Sequence, residues 1–258
     1  MSQTDPNRLS VEEFSQRIRG EMIPISSRFS YFSTAVTLTE EDIREYLEEP
    51  IAALPPAVFA LIPKVAILLV PYLARPNGKE QAVHHTGDLV CFEKPSANRN
   101  CWSSSVEKDG EEILAFALKD QEVVDYHYRF FGELARLTDE WSGPDELNSW
   151  FTLLREELNA GVHGEVDERS WRLKQSMLRR QTKVRRETKP FREYAHQSLV
   201  DTLVLYLHGI CCDIDVETGP RQLPSRHLRR RLQMLQTLYP PPQGYAVFPE
   251  DVNPETRS

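Results

Sequence analysis

The sequence predicts an α+β protein, with a small, mostly antiparallel sheet covered by helices in the N-terminal half and a helical, basic subdomain in the C-terminal half. Three observations carry this. Residues 64–70, KVAILLV, are apolar on both alternating faces and end at Pro71, as expected of a strand covered on each side. Residues 101–106 and 112–118 are strand-like runs separated by Lys108-Asp109-Gly110, and Asp-Gly is a strong hairpin signal. From residue 120 onward, apolar residues recur every three to four positions, the period of a helix with one buried face.

Taken in order, Ser10 followed by Glu13 is a capping box opening a short helix with Val11, Phe14 and Ile18 on one face. Residues 23–38, rich in Ser, Thr, Phe and Tyr, read as extended. Thr39 with Asp42 starts a second helix that Pro50 is expected to stop. A short helix fits 56–62, and 88–93 is a second strand. Residues 120–137 place Val123, His127, Phe130, Leu134 and Leu137 on one side of a helix. Another helix begins near Pro144, carries Leu147, Trp150, Phe151, Leu154 and Leu158, and stops at Gly161.

The chain then turns basic. A helix from Asp167 takes Trp171, Leu173, Met177, Leu178 and Val184 as apolar contacts, with Arg172, Arg179, Lys183 and Arg186 on the opposite side. Residues 191–212 are apolar over most of the circumference and read as a buried helix. Residues 224–238 form a last basic helix with Leu228, Leu232, Leu235 and Leu238 facing inward. Residues 239–258, opening YPPPQG, form an extended strap or tail.

Charge divides the sequence. Residues 1–164 hold 15 Lys/Arg against 27 Asp/Glu, net −12, and residues 165–258 hold 16 against 12, net +4. With a Gly-rich turn at 161–164, this gives an acidic α+β domain over 1–160, a basic helical subdomain over 165–240 and a proline-rich tail over 241–258. The N-terminal stretch MSQTDPNRLS has no apolar run of a secretory signal, and the cysteines, Cys91, Cys101, Cys211 and Cys212, form no disulfide framework, so a cytoplasmic setting is expected. Residues 51–73 are long enough to span a bilayer. Four prolines interrupt them, however, and Lys64 lies near the centre, where a charge costs about 2.5–3.5 kcal/mol, so no membrane partner is expected.

Candidate chemistry is sparse. His84, His85, Asp88, Cys91 and Cys101 gather ligand types, without the close Cys-x-x-Cys or His-x-x-x-His pair typical of zinc. His208, Cys212, Asp213, Asp215 and Glu217 form a second group, but Gly219 falls one place late for a calcium loop. LVLYLHG at 203–209 resembles the strand and His-Gly turn of α/β-hydrolases over seven residues, yet no G-x-S-x-G nucleophile elbow occurs in the chain. Asn100-Cys101-Trp102 is similar to the Cys-Trp pair of papain-like proteases and lacks the residues that precede it there. Phosphate-binding glycine loops and H-E-x-x-H are absent, and no cofactor is expected. His127, between apolar neighbours, reads as a core histidine.

The most extended surface feature is therefore the basic stripe of Arg172, Arg179, Lys183 and Arg186. It suits an acidic protein partner and a non-enzymatic interaction or regulatory role. Alternatives are a match to the acidic run at 40–49, DNA or RNA binding, and a metal-dependent hydrolase built on one of the His/Cys/Asp groups.

Overall fold

A computed structural model describes residues 9–34, 37–77, 87–179, 187–212 and 221–248. The protein is α+β, with two sheets and helices that dominate after residue 122. The chain divides into two compact units, one of Met1–Pro50 with Pro63–Arg129 and one of Ile51–Ile62 with Phe130–Ser258.

The first unit opens with β1 (Leu9–Ser10) and α1 (Val11–Arg17). Ser10 caps that helix, its hydroxyl accepting from the Glu13 N–H while the Glu13 carboxylate accepts from the Ser10 N–H. β2 (Ile23–Pro24) and β3 (Phe29–Ser33) follow. Thr39 and Asp42 make a second capping box at α2 (Glu40–Ile43). Pro50 does not stop this helix. The chain widens into a π turn over Arg44–Glu48 and continues as α3 (Glu49–Ala52), so the ring meets a loosened turn where the usual clash four residues back is relieved. The Pro-led α4 (Pro56–Leu61) comes next.

The strands are β4 (Lys64–Val70), β5 (Tyr72–Ala74), β6 (Leu89–Cys91), β7 (Asn100–Cys101), β8 (Ser103–Lys108) and β9 (Glu111–Ala117). They build two sheets where one was expected, ordered β1-β6-β5-β7 and β2-β3-β4-β9-β8. The first is antiparallel throughout, whereas β4 at the middle of the second runs parallel to both β3 and β9. The all-apolar sequence of β4 fits this place, since parallel strands are covered on both faces. One face packs Ala66, Leu68, Val70, Ile113, Ala115 and Ala117 against Val11 and Phe14 of α1 and Ile18 at its end. On the β8–β9 hairpin, Asp109 and Gly110 both take positive φ, 54° and 76°, as a type I′ turn requires.

Helix α5 (Val123–Trp141) begins in the first unit, where Tyr126 meets Phe116 edge-on at 5.1 Å and Tyr46 at 5.0 Å. His127 is buried, and its Nε2 lies 2.9 Å from the Glu45 carbonyl oxygen, so that nitrogen donates.

In the second unit, α6 (Pro144–Asn159) starts on its proline and ends at Gly161, φ 68°. α7 (Glu168–Arg179) leads to α8 (Lys189–Cys211), capped by Thr188, and α9 (Ser225–Leu238) completes the unit. α8 is the core helix the sequence predicts, with Phe191, Tyr194, Leu199, Leu203, Tyr206, Leu207 and Ile210 buried. Trp150 Nε1 donates to Ala195 O at 3.1 Å, Phe151 meets Phe191 edge-on at 5.7 Å, and Tyr206 donates to Tyr239 O at 2.5 Å, so α8 holds its neighbours by ring packing and directed bonds together. No helix among the described residues is long and apolar enough to cross a membrane.

Candidate functional site

The most chemically loaded place in the second unit is a set of charges inside it. Arg231, Lys174, Glu157 and Glu165 are each at most 1% exposed, a condition charged side chains tolerate only when paired. Three of them come from inward positions of helices, and Glu165 lies in the segment before α7. Arg231 falls between Leu228 and Leu235 on α9, Glu157 follows Trp150 and Leu154 on α6, and Lys174 shares its stripe with Ser170 and Met177 on α7.

Arg231 spends all five N–H donors. Nε and Nη2 reach Glu157 Oε2 at 3.0 and 2.6 Å, Nη1 and Nη2 reach Glu165 Oε2 and Oε1 at 2.7 and 3.1 Å, and Nη1 also reaches Ser198 Oγ at 2.9 Å. Lys174 Nζ donates to Glu165 Oε1 at 3.0 Å and Gly164 O at 2.8 Å, and Tyr194 donates to Glu165 Oε1 at 2.5 Å. The four formal charges cancel. Burial by itself pushes the Glu165 carboxyl up, but Arg231, then Lys174 and Tyr194, overcome it and bring the pKa from 4.5 to about 2. Tyr194 is pushed up, by burial first and by Glu165 second, so it stays a donor.

Backbone fixes the centre of this network. Glu165 forms a parallel bridge with Gln222, its N–H donating to Arg221 O and its carbonyl accepting from Leu223, both at 3.0 Å. The approach depends on Gly164, at φ 77°, where a Cβ would fall 2.1 Å from Gln222 O. The Gly-rich turn at 161–164 is thus a clamp at its C-terminal end.

One atom is left over. Among the described residues Glu157 Oε1 is buried with no hydrogen-bond partner, and His227 Nδ1 on α9 lies 3.6 Å away. That histidine side chain is 15% exposed, so it joins the interior to solvent.

The predicted surface residues fall partly outside the described region. Arg172 and Arg179 are exposed on α7, two turns apart, while Lys183 and Arg186 lie outside the described residues. Arg172 donates to Glu168 at 2.8 Å on its own helix. Leu178, expected to pack inward, is 45% exposed; the inward stripe is Ser170, Lys174 and Met177, because Glu165 gives Lys174 a buried counter-charge. The Asp201 carboxylate accepts from the Ser170 N–H and holds the start of α7 against α8.

Of the first ligand group, His84 and His85 lie outside the described residues. Cys91 and Cys101 sit on the two strands that flank β5, and burial, with Asp88 adding to it, pushes the Cys101 thiol up to about 12. In the second group, His208 is buried with its ring 5.6 Å from Phe131, and the Cys212 N–H donates to His208 O at 2.8 Å; Asp213, Asp215 and Glu217 lie outside the described residues.

Sequence reasoning missed the buried network. Its signal was present as a cation or carboxylate on the apolar stripe of three helices, with signs that pair. No protein family, curated protein or solved structure matches the chain.

Proposed function

We propose that the chain is a non-enzymatic interaction protein that takes an acidic protein partner on the outward face of α7. The observation that carries this is Leu178, exposed directly beside Arg179, with Arg172 two turns earlier on the same helix. An arginine next to uncovered apolar surface is a composition typical of a protein interface, whereas phosphate neutralisation by cations dominates nucleic-acid affinity. The internal network already has its cations in Arg231 and Lys174, so the outward arginines are not required to balance it. The Arg172–Glu168 pair is exposed and weakly held, about 0.3–0.5 kcal/mol for such a helix pair, so a partner carboxylate replaces Glu168 at little cost. In sequence, Lys183 and Arg186 continue the stripe. That Cys91, Cys101, Cys211 and Cys212 form no disulfide supports placing the protein in a reducing, cytoplasmic setting.

The test is fluorescence anisotropy of the full chain with a labelled peptide alternating glutamate and leucine. Binding that disappears when Arg172, Arg179, Lys183 and Arg186 are replaced by glutamate supports the proposal. Unchanged binding removes this surface, and a preference for duplex DNA or RNA that falls steeply with salt replaces the protein partner by nucleic acid.

A further inference from the structure

The segment that follows α9 carries an inference independent of the α7 surface. Tyr239, at the end of α9, is buried; its hydroxyl lies 2.8 Å from Ser142 Oγ and its carbonyl accepts from the Tyr206 hydroxyl at 2.5 Å. Phe248 is buried too, with the Arg229 guanidinium over its ring at 4.5 Å. Both ends of the stretch are therefore fastened to the second unit. Between them Pro240, Gln243, Gly244 and Tyr245 are exposed, and Pro241 and Pro242 are half-buried.

Three consecutive prolines fix what this stretch can present. Each ring holds φ near about −65°, and the proline that follows Pro240 and Pro241 keeps both out of the helical region, so the run is held in the extended polyproline II range. It ends in a turn, where the Tyr245 N–H donates to the Pro242 carbonyl at 3.1 Å with Gly244 at φ 91°, and the turn brings Tyr245 back towards the prolines.

The chemistry of the run defines what can recognise it. Proline has no N–H, so a partner cannot add these three positions to a sheet as a strand. Ring faces and carbonyls are what remain, and among the described residues no hydrogen bond reaches the carbonyls of Pro240 and Pro241. Aromatic side chains pack on pyrrolidine rings, and a tryptophan N–H or tyrosine O–H among them satisfies a carbonyl. The run is also short. Gln243 follows Pro242, so no P-x-x-P spacing continues it into a second turn.

We propose that Pro240–Pro242 and Tyr245 form a docking site for a proline-recognition domain of the WW kind, with an aromatic-lined groove that takes one polyproline turn. Binding orders little backbone, because the rings and the two fastened ends have already set its course.

Anisotropy of a panel of dye-labelled, isolated WW domains titrated with the full chain tests the site. Saturable binding that weakens about tenfold or more in Pro240→Ala/Pro241→Ala supports the proposal. Equal binding by that double variant, no binding by any WW domain of the panel, or tighter binding by an SH3 domain overturns it. Amide shifts of the isotope-labelled full chain give a second measurement without any substitution. Addition of the WW domain should move the Gln243, Gly244 and Tyr245 signals, and unmoved signals there overturn the proposal as well.

Discussion

Arg231 Nη1 and Glu165 Oε2 meet at 2.7 Å in the interior of the second unit, although 66 residues separate them in the chain. The contact joins the last helix to the segment that precedes α7, and the same guanidinium reaches α6 through Glu157. Replacing Arg231 by methionine strands two buried carboxylates and should cost about 3–5 kcal/mol of unfolding free energy. Arg231→Lys keeps the charge without the planar fork and should cost less. Urea unfolding of both variants checks this, and a methionine variant as stable as the wild type would show that the network contributes nothing.

Acid should weaken the protein through Glu165. Its folded-state pKa is depressed, from 4.5 to about 2, so the stabilisation is complete above pH 4.5 and is lost as pH falls towards 2. Unfolding free energy measured across that window should decline in the wild type, and Glu165→Gln should remove that part of the slope.

Gly164 and Gly161 offer a matched comparison. Both take positive φ, but among the described residues a Cβ at Gly161 meets nothing within 4 Å, whereas one at Gly164 falls on Gln222 O. Gly161→Ala should cost only the left-handed backbone penalty, about 1–2 kcal/mol. Gly164→Ala should cost more, because the Glu165–Gln222 bridge must open. Equal melting temperatures for the two variants would contradict this.

Cys101 should be inert. With its thiol pushed up to about 12 and its side chain buried, almost no thiolate forms at neutral pH. Iodoacetamide followed by peptide mass mapping should leave Cys101 unmodified in native protein and modify it in denaturant.

How much of this the sequence carries differs by element. Ser10 with Glu13, Thr39 with Asp42, Asp109-Gly110 and Pro144 are local rules of capping and turn chemistry, and the structure places each where the pattern puts it. Pro50 failed as a stop because a π turn, which no local pattern announces, relieved its clash. The parallel pairing of β4 was not legible either, since a strand apolar on both faces declares that it is covered without naming its neighbours. For the site, Arg172 and Arg179 are outward as their spacing implies. Nothing in the sequence sets Arg231 and Lys174 apart from the other basic residues of their helices, because a charge on an inward stripe is informative only once its counter-charge is known.

The clamp at Gly164 and the charges it gathers have a consequence for the order of assembly. Glu157, Glu165, Lys174, Tyr194, Ser198 and Arg231 are delivered by five separate stretches of chain, so the network closes only after these have all collapsed together. Such contacts are absent from an early transition state, and their loss is then felt in the rate of unfolding while the rate of folding is spared. Arg231→Lys should steepen escape from the native state and leave the refolding limb where it is. The interior charges would thereby govern how long the second unit stays folded once it has formed.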